Sequence, residues 1–193
     1  MSDGPFPVLP LQGARFEGAV LVEELAPGGQ VSIRGDLADT TFAEAVTAQA
    51  GCAMPGIWQI SGTPERGLLW MSPDELLLLL PRAEAAEAAR ALQARLDAAA
   101  VHALVLDVSD ARARFRLTGP HLREVMARLT PADMAPGAFP AGHLRRTRLA
   151  QVAAAVVHVA EGDMQVLCFR SVADYTFRLL SGAAASGAEL AYF

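Results

Sequence analysis

The sequence predicts an α+β fold, with short strands and β-hairpins interleaved with four helices, rather than the regular strand-helix alternation of a doubly wound sheet. Three observations predict it. Apolar residues alternate at period two over stretches too short for helices. Clusters of Pro, Gly, Ser and Asp separate those stretches. Only four segments carry helical spacing behind residues able to start a helix. At 193 residues the chain can bury ~70% of its unfolded surface, so it needs neither disulfides nor a metal to fold. Its expected organisation is an extended amino-terminal arm over 1–14, a first α+β unit over 15–103 and a second over 104–193, packed together as one compact subunit.

The arm carries Pro5, Pro7 and Pro10 without periodicity, so its ordering calls for a partner. Phe16 to Val22 and Val31 to Ile33 alternate as strands on either side of Pro27-Gly28-Gly29, which predicts a hairpin. Asp39 or Thr40 caps a helix whose apolar face is Phe42, Ala45, Val46 and Ala50 and which ends at Gly51. Ile57 to Ile60, Leu68 to Met71 and Leu76 to Leu80 read as a three-stranded meander with a turn at Ser72-Pro73-Asp74-Glu75. Arg82 to Ala100 is a helix of strong helix formers, with Glu84 and Glu87 early, Arg90 and Arg95 late, and Leu92 and Leu96 on its buried stripe.

In the second unit Leu104 to Val108 is a strand, and Arg112 to Leu117 is a half-exposed one. Gly119-Pro120 starts a helix through Leu129. A connection rich in Pro and Gly runs from Pro131 to Gly142, followed by a strand over Thr147 to Val159. Glu161-Gly162-Asp163 turns it into a hairpin with Met164 to Phe169. Ser171 with Asp174 three residues later resembles a capping box, heading a helix through Leu180 with Val172, Tyr175 and Leu179 on its buried stripe.

Composition excludes several function classes. Sixteen basic residues, all Arg, against twenty-one acidic ones give a net charge of −5, which argues against a dedicated nucleic-acid binder. Residues 111–150 hold eight Arg against Glu124 and Asp133, a net of +6 that leaves −11 for the rest, so the chain is electrically two-sided. Hydrophobic residues make up 52% and charged residues 19%, against a usual ~25% charged. A surface short of charge points to apolar area covered by a partner. Leu76 to Leu80, the longest aliphatic run, is far short of a membrane span. Cys52 and Cys168 form no short-spaced pair and no secretory leader is recognisable, so the expected setting is the cytoplasm, with reduced thiols.

No cofactor or metal motif is present. Pro27-Gly28-Gly29 precedes a strand rather than a helix, so it is not a phosphate loop. His102, His121, His143 and His158 fit no zinc spacing. Ser61, Ser72 and Ser109 lack the strand-turn-helix setting of a nucleophilic Ser, and Cys52 has no basic neighbour to activate it. Ser109-Asp110 reads as a bend closed by side-chain to backbone bonds. Arg112, Arg114 and Arg116 project to one face of their strand and are the candidates for a partner interface, with a solvated edge as the alternative.

Val108-Ser109-Asp110-Ala111-Arg112 and Leu117-Thr118-Gly119-Pro120, then Pro136-Gly137 and Thr147, resemble a recurring segment of the folate-binding glycine cleavage T protein superfamily. The chain is more closely similar to the gamma-subunit family of heterotetrameric sarcosine oxidase. That resemblance rests on Leu69-Trp70-Met71-Ser72-Pro73-Asp74-Glu75, Asp107-Val108-Ser109-Asp110 and Arg116-Leu117-Thr118-Gly119-Pro120. It continues through Phe139-Pro140-Ala141-Gly142, Thr147-Arg148-Leu149-Ala150 and Arg170-Ser171-Val172-Ala173-Asp174-Tyr175.

The resemblance implies a bacterial cytoplasmic complex with alpha, beta and delta subunits as partners. That complex demethylates sarcosine oxidatively to glycine and forms hydrogen peroxide and methylene-tetrahydrofolate. It implies FAD, FMN, NAD, tetrahydrofolate and zinc on the other subunits and none on this chain, which is then a structural and assembly member without catalytic residues. The T protein pattern carries aspartates where this chain reads Ala153-Ala154-Ala155, and a methyl group can neither position an amine nor accept a proton. Two other readings are a stand-alone folate-binding aminomethyltransferase-like protein, with Ser109, Asp110, Arg112 and Arg170 lining its pocket, and an RNA-binding module using residues 111–150.

Overall fold

The structure is a computed structural model that describes residues 8–186. In chain order its strands are β1 (Arg15–Glu17), β2 (Leu21–Glu24), β3 (Gly29–Gly35), β4 (Ile60–Gly62), β5 (Gly67–Ser72), β6 (Glu75–Leu80), β7 (Ala103–Asp107), β8 (Arg112–Thr118), β9 (His143–Leu149), β10 (Val152–Ala160) and β11 (Asp163–Phe169). The helices are α1 (Thr40–Ala50), α2 (Ala85–Ala98), α3 (Leu122–Ala127) and α4 (Ala173–Ala184). Single 3₁₀ turns at Arg82–Glu84 and Arg170–Val172 lead into α2 and α4.

One unit comprises 28–109 and 142–144. Its sheet runs β4-β5-β6-β3-β7, each paired strand antiparallel to its neighbour. Val31, Ile33, Leu68, Leu76, Leu78, Leu80 and Val105 meet the apolar faces of α1 and α2 in one core. The unbroken leucines of β6 reflect burial on both sides of the strand, since every residue of it is buried. Asp39 caps α1, its Oδ1 accepting from the Phe42 amide at 2.9 Å, and Gly51 closes the helix in the left-handed region at φ 73°.

The other unit takes residues 8–27, 110–141 and 145–186. Its six-stranded sheet runs β1-β2-β8-β11-β10-β9. Ala113, Phe115 and Leu117 of β8, with Val156 of β10 and Met164 and Val166 of β11, pack in one core with Leu122, Val125 and Met126 of α3 and Leu180 and Ala184 of α4.

The unit boundary expected at 103/104 therefore moves. β1 and β2 join the second sheet, β2 pairing with β8, while β7 closes the first sheet against β3. The expected hairpin of 16–22 with 31–33 does not form. The segment 16–22 is itself two strands, broken where a Cβ on Gly18 would lie 2.1 Å from the Ala184 carbonyl, to which the Ala19 amide donates at 2.8 Å. Of the arm over 1–14, residues 1–7 lie outside the described residues. Residues 8–14 are held by their own chain: the Glu24 carboxylate accepts from the amides of Leu11 and Gly13, and Arg170 donates to the Val8 carbonyl.

Other elements differ in detail. Ile57 and Trp58 form a turn, not a strand. The segment 147–159 is a hairpin between β9 and β10, with Ala150 at φ 47° in the connection. The helix expected from Gly119-Pro120 begins only at Leu122. Ser171 caps nothing: it lies inside the 3₁₀ turn, and the N-cap of α4 is Val172, which makes no side-chain bond. The buried face of α4 is accordingly Ala173, Thr176, Leu180 and Ala184, with Tyr175 exposed.

Candidate functional site

The pocket candidates lie at strand ends: Ser109 and Asp110 follow β7, Arg112 opens β8 and Arg170 follows β11. Ser109 is buried, and its Oγ accepts from the Gln30 amide at 2.9 Å while donating to the Asp107 carboxylate. Its own amide also donates to Asp107, at 3.0 Å. The hydroxyl thus fastens the end of β7 to the start of β3, a long-range bond beyond the local side-chain to backbone bond that the sequence suggests, which is the one from the Ser109 amide to Asp107. Asp110 is exposed. Arg112 faces Phe169 across the β8–β11 ladder, and the next residue, Arg170, donates its amide to the Ala111 carbonyl at 2.9 Å. Arg112 and Arg170 are therefore neighbours, but the Arg170 guanidinium is used on the Val8 carbonyl at 2.6 Å.

Arg112, Arg114 and Arg116 do share one face of β8, opposite Ala113, Phe115 and Leu117. The strand is interior to its sheet, between β2 and β11, and on this face Arg112 and Arg114 are half-buried and Arg116 is exposed. Arg114 donates to Gln165 Oε1 at 2.7 Å. Arg116 grips both Asp163 carboxylate oxygens, at 3.0 and 2.7 Å. Of these contacts across the strand pair, the one between Arg116 and Asp163 pairs opposite charges, while that of Arg114 is to a neutral amide.

One polar cluster among the described residues was not singled out from the sequence. Arg123 of α3 is buried, and its Nη1 donates to the carbonyls of Met134 at 2.8 Å and Phe139 at 3.1 Å. Nε and Nη2 hold the Glu161 carboxylate at 3.2 and 2.9 Å. His158 is fully buried and meets the Phe139 carbonyl through Nδ1 at 2.9 Å; a carbonyl only accepts, so Nδ1 carries the proton. Its Nε2 has no hydrogen-bond partner and lies 3.8 Å from Glu161. The bond from Arg123 lowers the Glu161 pKa from its ordinary 4.5, against a smaller desolvation effect, and the charges of Arg123 and His158 add to the lowering.

A cavity of about 280 Å³ opens beside this cluster, lined by Pro120, His121, Arg123, Glu124, Pro136 and Glu161. None of Ser109, Asp110, Arg112 and Arg170 lines it. Because Arg123 and His158 both hold the Phe139 carbonyl, the chemistry is that of a clamp on the 131–141 loop. A Pro- and Gly-rich connection whose carbonyls need donors was the sequence signal that could have pointed to it.

Among the described residues no group of three or more His, Cys, Asp or Glu is placed to hold a metal, and no helix is long and apolar enough to cross a membrane. Burial pushes the Cys168 thiol pKa up, which makes it a poor nucleophile, although a bond with Thr176 opposes the shift. Cys52 donates weakly to the Ser61 carbonyl at 3.6 Å.

The architecture defines the class. The fold is that of aminomethyltransferase T of the glycine cleavage system from Bartonella henselae, matched at a TM-score of 0.59 and 15% identity over 84% of this chain and 45% of that one. The family model described as sarcosine oxidase, gamma subunit, matches residues 34–186, and the chain belongs to that family. It is 31% identical to the sarcosine oxidase subunit gamma of Corynebacterium sp. (strain P-1), over 84% of this chain and 79% of the relative. The corresponding subunit of Arthrobacter sp. is also 31% identical, over 78% of this chain and 72% of its own length. A chain of the heterotetrameric sarcosine oxidase from Corynebacterium sp. U-96, solved with pyrrole 2-carboxylate, superposes at a TM-score of 0.78 with 26% identity, covering 88% of this chain and 87% of that one.

Proposed function

We propose that this chain is the non-catalytic gamma component of a heterotetrameric sarcosine oxidase, working in the cytoplasm with alpha, beta and delta subunits. The complex converts sarcosine, oxygen and tetrahydrofolate into glycine, hydrogen peroxide and methylene-tetrahydrofolate. FAD, FMN, NAD, tetrahydrofolate and zinc are then held by the other chains. What this chain supplies is a surface for assembly.

One observation supports the non-catalytic assignment: in a fold shared with an aminomethyltransferase, two of the four pocket candidates are bonded within the fold. The Ser109 hydroxyl is spent on Gln30 and Asp107, and the Arg170 guanidinium is bonded to Val8. Ala153, Ala154 and Ala155 on β10 offer only methyl groups. The family membership and the superposition on the Corynebacterium enzyme disfavour the stand-alone transferase and the RNA-binding module.

Co-expression of a tagged chain with the other three subunits tests the proposal. The expected result is recovery of all four chains together with sarcosine-dependent peroxide formation, while the chain purified alone is colourless and inactive. A stoichiometric flavin on the isolated chain, or a chain that recruits none of the three, overturns it.

A further inference from the structure

Two exposed apolar side chains stand side by side at one turn. Ile57 is 67% and Trp58 is 52% exposed. The turn runs Gly56 to Gln59, closed by the Gln59 amide donating to the Gly56 carbonyl at 3.0 Å. Trp58, its third residue, has a φ of 61°, in the left-handed region where glycine or asparagine is at ease and a bulky side chain is not. The other tryptophan, Trp70, packs against a core. Trp58 thus holds a strained backbone conformation while about half of the residue stays exposed.

The turn is also rigidly mounted. The Leu144 amide donates to the Trp58 carbonyl at 2.8 Å, the Ile60 amide to Gly142 at 2.9 Å and the Trp70 amide to Gln59 at 3.1 Å. Gln59 bridges His143 as well. Both flanks of the turn are thereby fixed before anything binds, so docking its side chains orders little additional chain. Tryptophan on a preorganised support is the side chain most enriched at energetically dominant positions of protein interfaces.

We propose that the Ile57–Trp58 turn is an anchor that inserts into an apolar cleft on a larger subunit of the oxidase; this rests on the chain being a component of that complex. The area at stake decides between occupants. The exposed parts of the two side chains amount to roughly 200 Å², about a quarter of the ~800 Å² that each side of a standard interface contributes. Two copies of the chain meeting turn to turn would bury too little to associate stably. An anchor set within a wider heteromeric interface needs no more.

The test uses the full chain, wild type and Trp58→Asn, with Ile57→Ser as a second variant. Each is measured alone by thermal unfolding and light scattering, and against the other co-expressed subunits for binding. Asparagine accepts the left-handed backbone, which offsets the loss of the buried part of the indole, so Trp58→Asn alone is expected to unfold within about two degrees of the wild-type midpoint while binding at least tenfold more weakly. Ile57→Ser is expected to weaken binding severalfold at an unchanged midpoint. Binding of Trp58→Asn within twofold of wild type overturns the anchor and leaves the subunit assignment standing. A midpoint lowered by several degrees makes Trp58 a structural residue and overturns it too. So does a wild-type dimer that Trp58→Asn dissolves. A wild-type chain that binds none of the subunits overturns the subunit assignment itself, and the anchor with it.

Discussion

Replacing Arg123 by Met keeps the apolar stem and removes the guanidinium. The loss is worked from its partners. The Met134 carbonyl loses a donor at 2.8 Å in a buried setting, and an unsatisfied buried acceptor costs about 1–3 kcal/mol. The Phe139 carbonyl keeps His158 Nδ1 at 2.9 Å, so little is added there. Glu161 is 75% exposed and is resolvated by water, so no charge is stranded and the cost stays below that of breaking a fully buried pair. The sum is about 2–3 kcal/mol. Glu161→Gln keeps an acceptor for the buried Arg123 guanidinium and removes the charge of an exposed partner, and should cost about 1 kcal/mol. Denaturant unfolding of the isolated chain, followed by far-UV circular dichroism, compares the two at neutral pH. If Arg123→Met lies within about 0.5 kcal/mol of wild type, or if Glu161→Gln costs as much as Arg123→Met, the loop carbonyls are not what this arginine serves.

Three further outcomes are expected. The Glu161 carboxylate titrates below 4.5 in the fold, so its contribution is fully present above that pH and is lost as pH falls through the folded value. The stability difference between wild type and Glu161→Gln should therefore shrink on acidification below about pH 4.5, and a difference that grows there refutes the linkage. Asp39→Ala should cost about 1 kcal/mol through its lost cap; Ser171→Ala, which removes no cap, should stay within about 0.5 kcal/mol. Charge reversal of Arg112, Arg114 and Arg116 together should weaken assembly with the other subunits in a salt-sensitive way, after circular dichroism has confirmed that the chain still folds, because a Glu at 116 would face Asp163. Co-purification unchanged at every salt concentration would show that this face meets no acidic partner.

Element type was legible where one face of a strand or helix is buried. The leucines of β6, the Asp39 and Gly51 stops of α1 and the alternation of β8 all read correctly, because burial imposes its period directly on the sequence. Pairing was not legible. Alternation in Val20 and Val22 says which face is buried but not which strand lies alongside, and the partner of β2 is β8, some ninety residues away. Gly18 was the available clue to the break between β1 and β2, since a glycine inside an alternating run marks a close backbone approach. At Ser171 the S-x-x-D spacing was real but displaced: the preceding 3₁₀ turn starts the rotation early, so the serine is already inside the turn when the α-helix begins.

The arginine clamp was missed for a different reason. Leu122-Arg123-Glu124-Val125-Met126 reads as a helix with a charged outer face, yet all five residues are buried. The structural context is the Pro- and Gly-rich connection 131–141, whose carbonyls have no strand ladder to accept from. Backbone acceptors removed from water must find donors, and a long connection without its own secondary structure accumulates them faster than neighbouring amides can serve. Arginine is the side chain with enough donors in a fixed fork to meet two carbonyls and a carboxylate at once. Here it does so with help from the His158 imidazole on one carbonyl and an aromatic stack, the Arg145 guanidinium lying 5.1 Å from the Phe139 ring centre. A long turn-rich connection following a helix that carries an arginine among apolar residues therefore argues first for a clamp of this kind. Only an additional unpaired reactive group inside the adjoining cavity would turn the same pattern into an argument for a ligand site.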